Sequence, residues 1–166
     1  AMFELVKELT ELPGMIGHEE PVQDFIIDRW SPYCEEVKTT GVGNVIAKVG
    51  GKGPRLLIEA HADEIGVVVK SISSDGIVWV APKNGTGAKL RPGRDLFILG
   101  HPCVIQSDGG LVEGIFAALS GHVTPPELKE KDQLGWSDFF VDVGAVSREE
   151  VVEQGVRVGD AVIWNP

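Results

Sequence analysis

The stretch Leu56-Leu57-Ile58-Glu59-Ala60-His61-Ala62-Asp63-Glu64-Ile65-Gly66-Val67-Val68-Val69 closes two apolar runs around a polar centre. One histidine and three acids (Glu59, Asp63, Glu64) stand where the surrounding residues spell core. Two readings are open: a metal corner of an active site, or a strand end that turns polar at the surface. Arg55 to Ala60 reads as a continuous apolar strand, and continuity without alternation predicts burial on both faces, as in a sheet covered by helices. His61 would then follow the strand's C-terminal end, where α/β sheets place ligands. Extended geometry would aim Asp63 to the same side. A metal-bound imidazole needs a carboxylate on its other nitrogen to fix its tautomer, and a His-x-Asp pair can supply one. The same spacing serves a capped strand end equally well.

Upstream, Met2 to Glu11 sets Phe3, Leu5, Val6, Leu9 and Leu12 at helical spacing, and Pro13-Gly14 stops the helix. Glu19 to Trp30 predicts a second helix with an acidic first turn and Pro21 near its start. Asn44 to Val49 predicts a short strand. Helices followed by a doubly buried strand point to an α/β layer over residues 1–70. Seventy residues are few for such a layer, so the chain is expected to be incomplete.

Downstream the texture changes. Ile77–Ala81, Leu96–Leu99, Cys103–Gln106, Leu111–Leu119, Phe139–Val143 and Ala161–Trp164 read as short strands between Gly, Asp, Ser and Pro turns. Such spacing predicts a small β-barrel or sandwich over residues 71–164. One helix intervenes, Ser147 to Gln154, with Ser147 as N-cap and Glu150 in the capping-box position. The apolar residues of Ile77–Ala81 and Ile115–Leu119 suit a core or an interface.

The 166 residues carry 25 acids against 15 bases, a formal net charge of −10. Nucleic acid is therefore not an expected partner, since phosphates need a basic face. No apolar run approaches the length of a membrane-spanning helix, and no membrane partner is expected. The N-terminus has no basic head followed by an apolar stretch, so no signal peptide is expected. Cys34 and Cys103 stand far apart, which predicts a reduced, cytoplasmic protein.

Several motifs fail. A Gly-x-Ser-x-Gly elbow is absent. His18-Glu19 is not continued as HExxH, because position 22 is Val, and His18 is expected at the surface. Gly51-Lys52 resembles the end of a phosphate loop, but Ile46 replaces its first glycine and Gly53 its Ser/Thr. Gly85-Thr86-Gly87 lacks a dinucleotide fingerprint's third glycine, with Leu90 there instead. Asn84-Gly85-Thr86 reads as a turn more simply than as a glycosylation site. His101 and His122 are isolated loop histidines. Glu59 and Glu64 could be paired acids for glycoside hydrolysis, but nothing sets their separation.

The segment from His61 to Gly66 resembles the HxDEIG stretch of the cytosolic glutamyl/tetrahedral aminopeptidases, two-metal peptidases sometimes labelled endoglucanases. The resemblance extends along the chain. Leu9-Thr10-Glu11-Leu12-Pro13-Gly14-Met15-Ile16-Gly17-His18-Glu19-Glu20-Pro21-Val22 is similar to the family's N-terminal helix–turn–helix, and Gly41-Val42-Gly43-Asn44-Val45-Ile46-Ala47 to its next strand. Phe140–Ala145, Ser147–Glu150 and Gly155–Asp160 match three later blocks.

The resemblance implies the N-terminal piece of an α/β metallopeptidase domain plus an inserted small β-barrel dimerisation domain. It implies that His61 is a metal ligand and that Asp63, a catalytic-site acid, orients it. The complete enzyme would use two divalent ions, zinc or cobalt, to release N-terminal amino acids from peptide substrates. Its other ligands lie in later blocks to which nothing here corresponds, so this chain alone could hold no ion and is expected to be inactive. The β-barrel implies a homo-oligomer. A non-catalytic oligomerisation module is the alternative.

Overall fold

The computed structural model describes residues 2–82, 98–119 and 135–164, and its contacts divide the chain into two compact units, the first ending at Ile65 and the second opening at Gly66. The first unit begins with helix α1 (Met2–Thr10) and helix α2 (Glu20–Trp30). Pro21 stands in the first turn of α2, where a missing N–H is harmless. A 3-10 turn, Ser31–Tyr33, leads into an antiparallel hairpin of β1 (Glu36–Thr39) and β2 (Val45–Lys48). Its register runs from Glu36 opposite Lys48 to Thr39 opposite Val45. Gly43 turns the hairpin with φ +87°, a value unfavourable for other residues.

Little of this unit is fully buried: Met15 and Val22 are its buried apolar residues. The helices are linked by an ion pair between Glu8 and Arg29, and the Arg29 guanidinium lies over the Phe25 ring, 4.9 Å from its centroid. The buried strand expected over Arg55–Ala60 is not formed. Leu56, Leu57 and Ile58 are each more than 80% exposed (83, 82 and 84%), and 54–63 joins no ladder. A strand needs neighbours for its backbone groups and cover for its faces, and among the described residues neither is present.

The second unit is a closed barrel of β3 (Val67–Ile72), β4 (Val78–Pro82), β5 (Pro102–Ser107), β6 (Gly110–Ala118), β7 (Phe139–Asp142) and β8 (Ala161–Trp164). The order round the barrel is β3-β4-β7-β6-β5-β8, every pair antiparallel. β3 begins at Val67 and so crosses the residue-70 boundary expected from the sequence. Its pairing with β4 slips between Val69 and Ser71. That bulge lets Lys70 and Ser71 both face outward and returns Ile72 to the interior.

Inward-facing Val67, Val69, Val78, Val80, Cys103, Ile105, Phe116, Phe139, Val141 and Val162 fill the barrel. Thus Val78, Val80 and Phe116 are core, whereas Ile115 is 52% exposed. Ile98 also joins the core, but the strand expected over Leu96–Leu99 is not seen where it is described. Ile98 to Gly100 form a turn closed by His101 N–H donating to the Ile98 carbonyl at 2.8 Å. Leu96 lies outside the described residues, as do Asn84-Gly85-Thr86, Gly87, Leu90 and His122. Helix α3 (Arg148–Glu153) buries Val151 against the barrel core.

Candidate functional site

The polar centre of the opening stretch, called the corner below, holds a local contact between His61 and Asp63. His61 Nδ1 lies 2.9 Å from the Asp63 carbonyl oxygen and 3.3 Å from Asp63 Oδ1. With its proton on Nδ1, the imidazole donates to Asp63 and carries its lone pair on Nε2. The His61 side chain is 84% exposed and that of Asp63 39%. The structure thus brings together the two residues the sequence singles out, and Asp63 engages His61 through its backbone as well as its carboxylate.

The corner is fastened from the other side by Glu64. Its N–H donates to the Gly14 carbonyl at 2.8 Å, and its Oε1 accepts from the Gly14 N–H at 2.8 Å. Met15 and Glu64 form an isolated parallel bridge. Half-buried, the Glu64 carboxyl titrates above the usual glutamate value: desolvation raises it, and the Gly14 hydrogen bond opposes the rise in part. Sequence reasoning missed this tie. Fifty positions separate the partners, and neither periodicity nor motif spacing signals it.

Behind the corner lies a groove of about 710 Å³, whose apolar wall includes Leu5, Leu9, Val22, Phe25 and Ile26 and whose polar rim includes His61 and Glu64. Glu59 is exposed and Glu64 is occupied with Gly14, so neither acid is arranged for glycoside chemistry. His18 is half-buried just before α2, its N–H bonded to the Met15 carbonyl. His101 sits in the turn before β5, with Nδ1 3.1 Å from the Pro102 carbonyl oxygen.

A catalytic zinc site commonly takes three protein ligands. Among the described residues no group of three or more His, Cys, Asp or Glu side chains could hold an ion. One imidazole with one carboxylate is a partial donor set, so the described residues do not fit a two-ion centre by themselves. No helix among them is long and apolar enough to cross a membrane.

The chain is 32% identical over 158 residues to a lysyl aminopeptidase of Pyrococcus furiosus, covering 95% of this chain and 44% of that protein. Its fold superposes on a TET aminopeptidase from a marine sediment Thaumarchaeota archaeon with a TM-score of 0.83 at 34% identity, over 98% of this chain and 44% of that one. It also superposes on the Pyrococcus horikoshii TET1 peptidase, described as assembling into a tetrahedron or a large octahedral shell (TM-score 0.79, 27% identity, 99% and 46% coverage). The chain therefore spans less than half the length of these relatives. Residues 43–166 match the family model described as M42 glutamyl aminopeptidase, and the chain belongs to that family.

Proposed function

We propose that this chain is the first part of a metal-dependent aminopeptidase that releases N-terminal amino acids from peptides. In this reading His61 is a metal ligand through Nε2, and Asp63 holds the imidazole by its Nδ1 side. The remaining ligands come from polypeptide beyond the stretch that the relatives share with this chain. The observation that carries the reading is the His61–Asp63 contact, 2.9 Å to the carbonyl and 3.3 Å to the carboxylate, in a chain of the M42 family. The exposed apolar run Leu56–Ile58 supports it, because such a run suits a strand awaiting neighbours. With a partial donor set among the described residues, the 166 residues alone are expected to be inactive.

The test is amino-acid release from a short peptide, with zinc or cobalt supplied. The chain alone is expected to give none. Activity is expected once the C-terminal portion is supplied, covalently or as a second polypeptide, and His61→Ala is expected to abolish it. Metal-dependent release by the 166 residues alone, or full activity with His61→Ala, would sink the reading.

The barrel favours a second role that can coexist with the first. It closes on its own core while leaving Leu111 and Ile115 of β6 more than half exposed (56% and 52%), which suits pairing with another copy. We propose that it makes the protein a homo-oligomer, as the TET1 relative's assembly suggests. Sedimentation is expected to show a dimer or larger species, dispersed by Leu111→Lys with Ile115→Lys; a monomer at every concentration would refute this. If the barrel assembles but the completed chain never hydrolyses peptides, the non-catalytic module is the better account. The unpaired Cys34 and Cys103 fit a cytoplasmic setting.

A further inference from the structure

We propose that Glu64 is a positioning residue, clamping the His61–Asp63 corner to the turn at Gly14 so that the imidazole keeps one orientation and one tautomer. The inference rests on the reading of His61 and Asp63 as site residues.

His61 stands on the rim of the groove and gains little cover from it. It is largely exposed and follows a run that joins no ladder among the described residues, so its orientation has to be fixed from the far side of the corner. Asp63 supplies contact atoms but stands only two residues from His61 in the same stretch. Glu64 is the first residue after it that bonds outside the stretch, and it does so twice to one partner. Two hydrogen bonds of opposite sense between the same residues fix rotation as well as distance. A single bond would leave the segment free to pivot.

Gly14 is shaped for this role. A Cβ there would lie 2.7 Å from Val22 Cγ2 and 3.5 Å from the Ala62 carbonyl oxygen. The tight contact is with Val22 of α2, while the Ala62 carbonyl stands at ordinary van der Waals distance, so a side chain at position 14 would push the turn away from α2 and disturb the pairing with Glu64. Met15, fully buried, and Val22, nearly so, close the other side of the turn. The anchor thus belongs to the best-packed part of its unit, and the corner borrows its rigidity.

The experiment records long-range imidazole 15N spectra of the metal-free chain, wild type against Glu64→Ala, Glu64→Gln and Gly14→Ala. The wild-type His61 ring is expected to show an excess of the Nδ1–H form. Glu64→Ala and Gly14→Ala are expected to move it toward the pattern of an unconstrained histidine. Glu64→Gln, whose amide oxygen can still accept from the Gly14 N–H, is expected to keep it. Loss of stability alone would lower the melting temperature without moving the ring signals while the chain stays folded. Unchanged ring signals in Glu64→Ala, or their collapse in Glu64→Gln, overturn the proposal.

Should Glu64→Ala not fold, hydrogen exchange of the unmodified chain decides. The Gly14 amide is expected to exchange at least about 10-fold more slowly than an unstructured amide; an unprotected Gly14 also overturns the proposal. Failure of the site reading looks different: the ring signature survives, yet His61→Ala leaves the completed peptidase active.

Discussion

Gly114 on β6 lies so close to Val141 on β7 that a Cβ at position 114 would stand 2.5 Å from Val141 Cγ1 and 3.0 Å from the Asp142 carbonyl oxygen. The space has no flexible side chain to yield, because Val141 is fully buried among Val78, Phe116 and Phe139. Gly114→Ala is therefore expected to destabilise the barrel by about 1–3 kcal/mol, the usual cost of overpacking. Urea denaturation followed by near-UV circular dichroism would read it. An unchanged midpoint would mean that β6 and β7 can part without cost.

The two cysteines should separate cleanly by reactivity. Cys103 is fully buried on β5, and burial pushes its thiol up to about 12. The thiolate is the nucleophile, so Cys103 should resist iodoacetamide at pH 8 until the barrel opens. Cys34, half-buried before β1, should react in the folded chain. Mass spectrometry of the labelled chain is expected to find one adduct, on Cys34, and a second only in denaturant.

Helix α3 is capped in two steps. The Ser147 hydroxyl accepts from the Glu150 N–H at 3.2 Å, and the Glu150 carboxylate accepts from the Val146 N–H at 2.9 Å, one residue earlier than a standard capping box. Ser147→Ala is expected to cost about 1 kcal/mol. The matching fall in the barrel's melting temperature is roughly 4–8 °C. A variant that melts with the wild type would show that α3 is held by Val151 alone.

Glu64 gives a pH dependence of definite sign. Its folded-state value is raised, chiefly by desolvation, so the folded chain binds the proton more tightly than the unfolded chain does. Its contribution is full below the ordinary glutamate value of 4.5 and is lost as pH rises through the raised value. Glu64→Gln cannot titrate. The melting temperature of wild type minus that of Glu64→Gln is therefore expected to be more positive at pH 4 than at pH 7. The opposite slope would mean that the Gly14 hydrogen bond outweighs burial.

How far the sequence reveals this fold depends on where each element finds its partners. Ala161–Trp164 and Phe139–Asp142 are legible because each packs inside a barrel whose other strands are present in the same chain. α1 and α2 are legible from their spacing and from Pro13-Gly14 and Pro21. The opening stretch misleads because its two apolar runs look alike. Val67–Val69 finds β4 and β8 and becomes the strand β3, whereas Leu56–Ile58 joins no ladder among the described residues. β1 escapes notice since Glu36-Val37-Lys38-Thr39 offers one apolar residue. The contact between His61 and Asp63 is legible because the two stand two positions apart. The Glu64–Gly14 tie is tertiary and leaves no mark in spacing.

The bare run Leu56-Leu57-Ile58 has a practical consequence. Among the described residues it joins no ladder, and an apolar segment with open backbone groups is a template for another such segment, so pairing like with like propagates. The closed barrel presents no rim of this kind. Turbidity in concentrated samples of this chain should therefore originate at residues 55–60. A charge placed there, as in Leu57→Lys, should clear it while leaving the barrel's melting unchanged.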